Sequence, residues 1–298
     1  MNTPKALFPK LDRQARVVVL MSGSGSNAEV LIRASRMENS PFSVCALVTD
    51  RPERCRAREI AGIYHLPLVE CDIFDFYRRN GETCIRLDTP HRQELRRQWN
   101  EQLEKAIAPF APDFGALAGF VPLTNLAEKL PLLNVHPGDL TIEDDNGRRL
   151  YTGLHHLPVE LAILDGVPGL RSSVILAQPY SGNGNSDMDS GPILGVSSLV
   201  APKLDGAILS RLQKLYEIRI PGVTPTDRLR EVADASLEEL KIHGDHVIFP
   251  KVIADFARGL YAVDTKGQLY YEIDGKFTPV TTVEYPEDAA PIPWIVQL

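Results

Sequence analysis

Asn134 and His136 are the residues whose types and spacing most directly suggest chemistry. They end the apolar stretch "LLNVH" and are followed by Pro137. In a strand, residues i and i+2 share one face and lie about 6.6 Å apart along the chain. An amide and a titratable imidazole placed in this way can donate hydrogen bonds to an oxyanion that develops on a carbonyl. Because Pro137 ends the strand, we expect the pair at the carboxyl edge of a sheet, where open α/β sheets bind ligands.

A carboxylate that could orient this histidine, or accept a proton from a substrate, lies further along the chain. Asp187 and Asp189 both stand in the polar stretch "PYSGNGNSDMDS", which precedes "GPIL". A carboxylate next to an imidazole is a common arrangement in general acid–base catalysis. The alternative, that His136 is an ordinary strand-edge residue with a satisfied side chain, stays open at this point.

The stretch "VVVLMSGSGSNAEVLI", residues 17–32, predicts a strand, a glycine loop and an amphipathic helix. The first N–H groups of such a helix have no partners, and the helix macrodipole adds positive charge there. The loop is therefore a candidate anion site, made of Gly23, Ser24, Gly25, Ser26 and Asn27. Its two glycines permit a positive φ and a close approach of the backbone to a ligand.

The same loop satisfies the dinucleotide pattern G-x-G-x-x-A, which leaves other interpretations open. Asp50 ends the next apolar strand, where an acid could bind a ribose. It lies 27 residues after Gly23, however, beyond the usual spacing of ~20 residues. A third interpretation is a glycine turn that only lets the strand and the helix pack together.

The composition is that of an acidic globular chain of 298 residues, long enough for one or two domains. A net charge of −7 argues against wrapping a nucleic acid, and solvated helix faces explain the arginine clusters at 51–58 and 92–97 as well as anion sites do. The four cysteines form no CxxC pair, so we expect reduced, mostly buried thiols and no metal. Since no apolar run has the length of a signal-peptide core or a membrane span, we expect a cytoplasmic enzyme without a membrane partner.

Strand and helix patterns alternate through the first half of the chain, which predicts an α/β fold with a mostly parallel sheet. The predicted helices cover 27–37, 54–61, 91–108 and 158–165, and an interrupted helix runs from Thr226 to about Arg258. The helix over 91–108 carries a predicted core stripe of Leu95, Trp99, Leu103 and Ile107. Residues 201–225 are expected to be irregular and partly helical, and residues 259–280 to form an antiparallel meander around two Gly turns.

Five motifs, in a fixed order, resemble those of the folate-dependent formyltransferases. They are "SGSGSN" at 22–27, "AGF" at 118–120, "NVHP" at 134–137, "YTGLH" at 151–155 and "DSGP" at 189–192. The resemblance spans residues 16–280, and it implies a Rossmann-like fold with a C-terminal helix and an antiparallel β elaboration. It divides the chain into an N-terminal extension (1–15), a catalytic core (16–200) and a C-terminal elaboration packed on the same domain (201–298).

The resemblance implies transfer of a formyl group from 10-formyltetrahydrofolate to the primary amine of a phosphorylated substrate, with glycinamide ribonucleotide as the first candidate. It implies a catalytic trio of Asn134, His136 and Asp189. The loop from Gly23 to Asn27 would hold the substrate phosphate, with Asp245 as a further contact. Residues implied for the folate are Phe120, Val121, Pro122, Leu123, Gly153 and His155, with Arg96 or Arg92 near its glutamate tail. No metal is implied, the expected partners are small molecules, and a homodimer is left open.

The sequence also departs from the family. Ile175 stands where the family has a histidine, and Pro122 where an arginine is common. Insertions occur at 141–149, 178–188 and 201–222, and they put the identity of the acceptor amine in question. A formyltetrahydrofolate hydrolase, a nucleotide-binding dehydrogenase and a binding protein with reduced catalysis remain as alternatives.

Overall fold

The computed structural model describes residues 3–179, 189–220 and 222–296, and a long mixed β-sheet organises them. The elements up to the middle of the chain are β1 (Lys5–Ala6), β2 (Ala15–Met21), α1 (Ser26–Ser35), β3 (Phe42–Thr49), α2 (Ala57–Tyr64), β4 (Leu68–Glu70), α3 (Ile73–Arg79), α4 (Pro90–Ile107), β5 (Phe114–Leu117) and β6 (Leu132–His136). Short 3₁₀ turns cover Ala108–Phe110 and Asn125–Glu128.

The remaining elements complete the sheet and cover one end of it. They are α5 (Leu157–Leu164), β7 (Ser173–Leu176), β8 (Ile193–Ser197), α6 (Leu209–Glu217), α7 (Arg228–Leu240), α8 (His246–Ala257), β9 (Tyr261–Val263), β10 (Leu269–Ile273), β11 (Lys276–Tyr285) and β12 (Ile292–Ile295). The strand order is β1-β9-β10-β11-β8-β7-β6-β5-β2-β3-β4, and β12 pairs with β11.

Strands β4, β3, β2, β5 and β6 are parallel, as the alternating pattern predicted. Strand β2 is buried on both faces: Val17, Val19 and Met21 face one apolar cluster, and Val18 and Leu20 face the other. A strand that is covered on both sides reads as a continuous apolar run. The α/β fold class predicted from the sequence is therefore confirmed.

Helix α4 carries its predicted core stripe, since Leu95, Trp99, Leu103 and Ile107 are all buried. The predicted interruption of the helix near Gly244 is confirmed, but it is a widened helical turn and not a loop. A π-helical turn, Lys241–Asp245, joins α7 to α8, and Pro250 lies inside α8. Such widened turns occur often at functional positions.

Sequence reasoning missed β4 and α3, whereas α6 confirms the expectation that residues 201–225 are partly helical. It was also wrong about the cysteines, because only Cys71 is buried and Cys45, Cys55 and Cys84 are partly exposed, although all four are free thiols. Short elements such as β4 are stabilised by packing on neighbours rather than by their own pattern, which explains why they escape prediction.

The C-terminal meander is confirmed: β9, β10 and β11 pair antiparallel, and Gly267 and Gly275 adopt positive φ in the connecting turns. β11 then pairs parallel with β8, which joins the meander to the main sheet. The N-terminal residues pack on the same core, with the Phe8 ring 5.2 Å from that of Phe114. Among the described helices, none is long and apolar enough to cross a membrane.

Candidate active site

A cleft of about 1000 Å³ opens at the carboxyl edge of β2, β5 and β6. Because these three strands are parallel neighbours, the loops that leave them meet at one place. The cleft wall contains most of the residues proposed for the site from the sequence, although not Arg92 or Asp50: it contains Gly23, Ser24, Gly25, Ser26, Asn27, Arg96, Phe120, Val121, Pro122, Leu123, Asn134, His136, Gly153, His155, Asp189 and Asp245. The structure thus brings together residues that are far apart in the chain.

Asn134 and His136 lie on β6, the last parallel strand on this side of the sheet. The side-chain amide of Asn134 is half-buried, faces the cleft and forms no hydrogen bond with the described residues. Its antiparallel neighbour across the sheet is Ile175 of β7, which also lines the cleft. An unpaired amide beside an apolar side chain is available for a substrate oxygen.

His136 is buried, and both of its ring nitrogens face oxygen atoms. Nε2 lies 2.7 Å from the backbone oxygen of Tyr151, and Nδ1 lies 3.4 Å from Oδ2 of Asp189. Because a carbonyl oxygen can only accept, Nε2 must carry a proton. A doubly protonated ring would therefore satisfy both neighbours, since it could also donate to the Asp189 carboxylate.

Gly138 permits this contact between the histidine and the carbonyl. A Cβ at this position would lie 2.5 Å from the Tyr151 oxygen and 2.8 Å from His136 Nε2. The segment behind it is fixed by Ser173, whose hydroxyl donates to the Gly138 oxygen at 2.7 Å and accepts from the Leu140 N–H at 3.1 Å. The orientation of His136 thus depends on the chain that follows it.

Asp189 is buried and has a left-handed backbone, with φ +58°. Its Oδ2 accepts a hydrogen bond from the Gly153 N–H at 3.3 Å, and its backbone oxygen accepts one from Arg149. Among the described residues, no hydrogen bond reaches Oδ1, which leaves that oxygen free for a water or an amine. Asp187, the other candidate carboxylate, lies outside the described residues, as does most of the 178–188 insertion.

Arg149 is the residue of this site that sequence reasoning missed. It ends the 141–149 insertion, and that insertion was its only signal in the sequence. Burial lowers the pKa of its guanidinium, against the opposing effect of the nearby Glu143 and Asp189 carboxylates.

The glycine loop begins α1 with Gly25 at its N-cap, at φ +75°, and no side chain caps the helix. The first N–H groups of α1 therefore remain available at the cleft. Gly23, in contrast, does not use a positive φ, so of the two glycines in the loop only Gly25 needs its conformational freedom. A Cβ on Gly25 would also lie 2.4 Å from Ile60 Cδ1 and 2.6 Å from Met21 Cε.

Asp50, the candidate ribose-binding acid, is fully buried. It accepts a hydrogen bond from the Ser22 hydroxyl at 2.5 Å, and the same hydroxyl accepts from the Val121 N–H at 2.9 Å. Burial is the main reason why the pKa of Asp50 is raised. Its carboxylate holds the glycine loop to the 120–123 loop and has no surface to offer a nucleotide, which argues against the dehydrogenase alternative.

Asp245 connects the glycine loop to the π-helical turn. Its Oδ1 accepts from the Ser172 hydroxyl at 2.6 Å, and its Oδ2 accepts from the Asn27 amide at 2.9 Å. Burial raises the pKa of Asp245, and the two hydrogen bonds oppose that shift only in part. The amide oxygen of Asn27 is buried without a partner among the described residues.

The wall predicted to bind folate is supported from behind. Phe120 stacks on Trp99, with ring centroids 6.3 Å apart. Arg96 is buried, and its guanidinium donates to the backbone oxygens of Leu123 at 3.0 Å and Ile85 at 2.8 Å. With its donors directed at carbonyls, Arg96 is placed to hold this wall, and its predicted contact with a glutamate tail stays a prediction.

The other arginines near this wall differ in their surroundings. Arg92 forms ion pairs with Glu82 at 3.0 Å and Asp88 at 2.7 Å. Arg86 is exposed at the cleft and forms no ion pair with the described residues. Arg86 is therefore the better placed cation for a carboxylate at this end of the cleft.

The sheet order, together with a cleft at the carboxyl edge of its parallel strands, defines a protein of the formyltransferase fold. Solved structures of phosphoribosylglycinamide formyltransferases share this fold. The one from Coxiella burnetii is 20% identical, with a TM-score of 0.60 over 92% of this chain and 100% of that chain. The one from Anaplasma phagocytophilum is 19% identical, with a TM-score of 0.58 over 92% of this chain and 99% of that chain.

Similarity is also detectable in sequence. The chain is 26% identical to phosphoribosylglycinamide formyltransferase of Saccharomyces cerevisiae over 129 residues, which are 41% of this chain and 58% of that relative. The match thus spans less than two thirds of the relative's length. No protein-family model matches the chain. The resemblance to the formyltransferases that the five motifs indicated is confirmed, and the proteins it resembles are the glycinamide ribonucleotide enzymes.

The two glycines of the loop allow a matched test of the geometry. We expect Gly25→Ala to lower the free energy of unfolding by about 2 kcal/mol or more, because a left-handed alanine costs roughly 1–2 kcal/mol and its Cβ also meets Met21 and Ile60. Gly23→Ala should change it by less than about 0.5 kcal/mol, since Gly23 lies in open space. Chemical denaturation measures both, and equal effects would contradict the assigned loop geometry.

Asp245→Asn tests whether this buried carboxylate is kept at the expense of stability. The pKa of Asp245 is raised in the folded state, so the folded protein binds this proton more tightly than the unfolded chain does. The free energy of unfolding therefore decreases as the pH rises above the ordinary carboxyl pKa. We therefore expect the melting temperature of Asp245→Asn to exceed that of the wild type by an amount that grows between about pH 4 and about pH 7. Asp288→Asn, at an exposed position, is the control and should show no such trend. A difference that shrinks with rising pH would contradict this assignment.

Proposed function

We propose that this protein transfers a formyl group from 10-formyltetrahydrofolate to the primary amine of glycinamide ribonucleotide or a closely related phosphorylated amine. The observation that carries the proposal is the contact of His136 Nδ1 with Asp189 Oδ2 at 3.4 Å, in the same cleft as the open amide of Asn134 and the N-terminus of α1. The activity named for the yeast relative and for the solved structures of this fold supports it.

In the proposed reaction, the amine nitrogen attacks the formyl carbon and forms the new C–N bond. The formyl oxygen becomes negatively charged, and the amine must lose a proton. When the intermediate collapses, the bond from the formyl carbon to N10 breaks, and N10 of the folate takes up a proton. The protein therefore has to stabilise an oxyanion and to move a proton from one nitrogen to the other.

The geometry divides these tasks among three side chains. The Asn134 amide is the free donor for the oxyanion, since both His136 nitrogens already face oxygen atoms. His136 contributes through the positive charge of its imidazolium, held in a buried position next to the reaction. Asp189 accepts the amine proton through Oδ1, directly or by way of a water molecule, while its Oδ2 stays directed at His136 and the Gly153 N–H. A correctly placed donor such as the Asn134 amide contributes ~3 kcal/mol to transition-state stabilisation.

The two ends of the cleft suit the two substrates. The open N–H groups at the start of α1 suit a phosphate, and Arg54 lines the cleft there without an ion pair among the described residues. Asp245 accepts a hydrogen bond from Asn27 of this loop and is close enough to His136 to feel its charge, so polar groups of a ribonucleotide could contact it there. Val121, Pro122 and Leu123 line the same cleft and present backbone and apolar groups for a pterin, and Gly153 and His155 are further residues of its wall.

The alternatives fit the site less well. A formyltetrahydrofolate hydrolase needs the same donors but has no use for an anion site at the start of α1. A binding protein with reduced catalysis is suggested only by Ile175, which replaces the family histidine next to Asn134 but leaves Asn134, His136 and Asp189 assembled. A cytoplasmic location follows from this activity and belongs to the same proposal.

The catalytic trio is tested by formyl-transfer assays with glycinamide ribonucleotide and 10-formyltetrahydrofolate. We expect His136→Ala and Asp189→Asn to lower kcat by about 10²- to 10⁴-fold, because both groups act on the transition state, with far smaller changes in KM. His243→Ala is the control, since that histidine lies outside the cleft wall and pairs only at long range with Glu239 and Glu287, at 3.8 and 3.6 Å. Wild-type turnover in either variant would remove the catalytic assignment, and absence of transfer by the wild type would remove the proposed reaction.

Arg86 is tested with folates that carry different numbers of glutamates. We expect Arg86→Ala to raise the KM for the folate roughly two- to fivefold, the range of an exposed ion pair, and to do so more strongly for longer tails and at low salt. Arg78→Ala, which removes an exposed arginine outside the cleft wall, should leave the KM for the folate unchanged for short and for long tails. Equal KM values for wild type and Arg86→Ala at low salt would show that the tail binds elsewhere.

A further inference from the structure

Residues 141–149, inserted relative to the formyltransferases, form a small hairpin. Glu143 and Arg149 form a β-bridge, and the Leu150 N–H donates to the Ile142 oxygen at 3.0 Å. The Asp144 carboxylate closes the turn, since its Oδ1 accepts from the N–H groups of Asn146 and Arg148, both at 2.9 Å. The insertion is therefore held by its own hydrogen bonds, and it delivers Arg149 to a defined place.

The Arg149 side chain leaves this hairpin and reaches across to the "DSGP" turn. One guanidinium nitrogen donates to the backbone oxygen of Asp189, and the other donates to that of Gly191 at 2.8 Å. The planar guanidinium can hold two acceptors at a fixed separation, which an ammonium group cannot do. The two bonds hold the backbone on both sides of Ser190.

The turn that receives these bonds has little freedom of its own. Asp189 has a φ of +58°, a conformation that side-chain-bearing residues rarely adopt. Gly191 packs against β7 so closely that a Cβ there would lie 1.7 Å from the Leu176 oxygen. A backbone in this state persists only where its surroundings hold it in place.

The Asp189 carboxylate, in contrast, has only long contacts among the described residues. Its Oδ2 lies 3.4 Å from His136 Nδ1 and 3.3 Å from the Gly153 nitrogen. Contacts of this length are weak, so they do not fix where the carboxylate lies. Its position relative to His136 is set mainly by the backbone of residue 189, and Arg149 holds that backbone.

We propose that Arg149 is a positioning residue, which sets the distance between the Asp189 carboxylate and His136 by clamping the carbonyl groups of Asp189 and Gly191. This inference rests on the proposed function for its catalytic consequence, but the clamp itself is a structural claim. The 141–149 insertion then acts on the proton-transfer group of the site. A displacement of about 1 Å in such a group can lower a rate by about 10²-fold.

The test compares Arg149→Ala, Arg149→Lys and Asp189→Asn with a control from the same hairpin. The control is Arg148→Ala, which removes an exposed arginine that pairs with Asp144 and touches neither carbonyl. We expect Arg149→Ala to lower kcat about 10- to 100-fold with both KM values within about twofold of the wild type, because the lost clamp acts on the transition state. Guanidinium ion, added far below denaturing concentrations, should restore part of the activity of Arg149→Ala and none in Asp189→Asn.

A second measurement does not depend on formyl transfer. In ¹⁵N spectra of the imidazole groups, the His136 signals of Arg149→Ala should move toward those of Asp189→Asn, and the signals of Arg148→Ala should match the wild type. If the wild type transfers no formyl group, the proposed function fails, and the spectra alone decide on the clamp. Unchanged His136 signals in Arg149→Ala, or a kcat equal to that of Arg148→Ala, would overturn the inference. Should Arg149→Ala fail to fold, Arg149→Lys, which keeps the charge but not the two-pronged contact, is expected to show the same spectral shift.

Discussion

The parallel pairing of β2, β5 and β6 is the constraint on which the site depends. Parallel neighbours end at the same edge of a sheet, so the glycine loop, the 118–123 loop and the end of β6 must meet there. The Ser22 hydroxyl then joins two of these loops, because it donates to Asp50 and accepts from the Val121 N–H. With the strands in place, the glycine loop and the 118–123 loop have fixed positions relative to His136.

Burial of polar groups is the second theme of the cleft. His136, Asp189 and Asp245 are all buried, and each is held by one or more oxygen or nitrogen partners. A buried carboxylate with a raised pKa lowers stability at neutral pH, and such positions concentrate at functional sites. A raised pKa does not by itself identify a functional carboxylate. Burial also raises the pKa of Asp50, whose role is to connect two loops.

The departures from the formyltransferase motifs are not equivalent in the structure. Ile175 places an apolar side chain beside Asn134, at the position where the formyltransferase motif has a histidine. The 141–149 insertion, in contrast, adds a charged contact behind Asp189. Ile175 removes a polar group from the cleft, whereas the 141–149 insertion supports a polar group that remains there. The two departures therefore have different effects on the site.

The sequence by itself determined the parallel half of the sheet, the stripe of α4 and the glycine loop, and its motifs predicted Asn134, His136 and Asp189, which the structure brings to one cleft. These features follow from local periodicity and from motifs whose residues are close in the chain. It could not determine that Arg96 supports the 120–123 loop, that Gly23 needs no positive φ, or that Arg149 reaches Asp189. The roles of Arg96 and Arg149 depend on groups that are distant in the sequence. Arg96 meets the carbonyls of Ile85 and Leu123, and Arg149 meets the "DSGP" turn. Only tertiary packing decides such contacts, because a side chain's partner is set by the path of the whole backbone and not by its neighbours in the sequence.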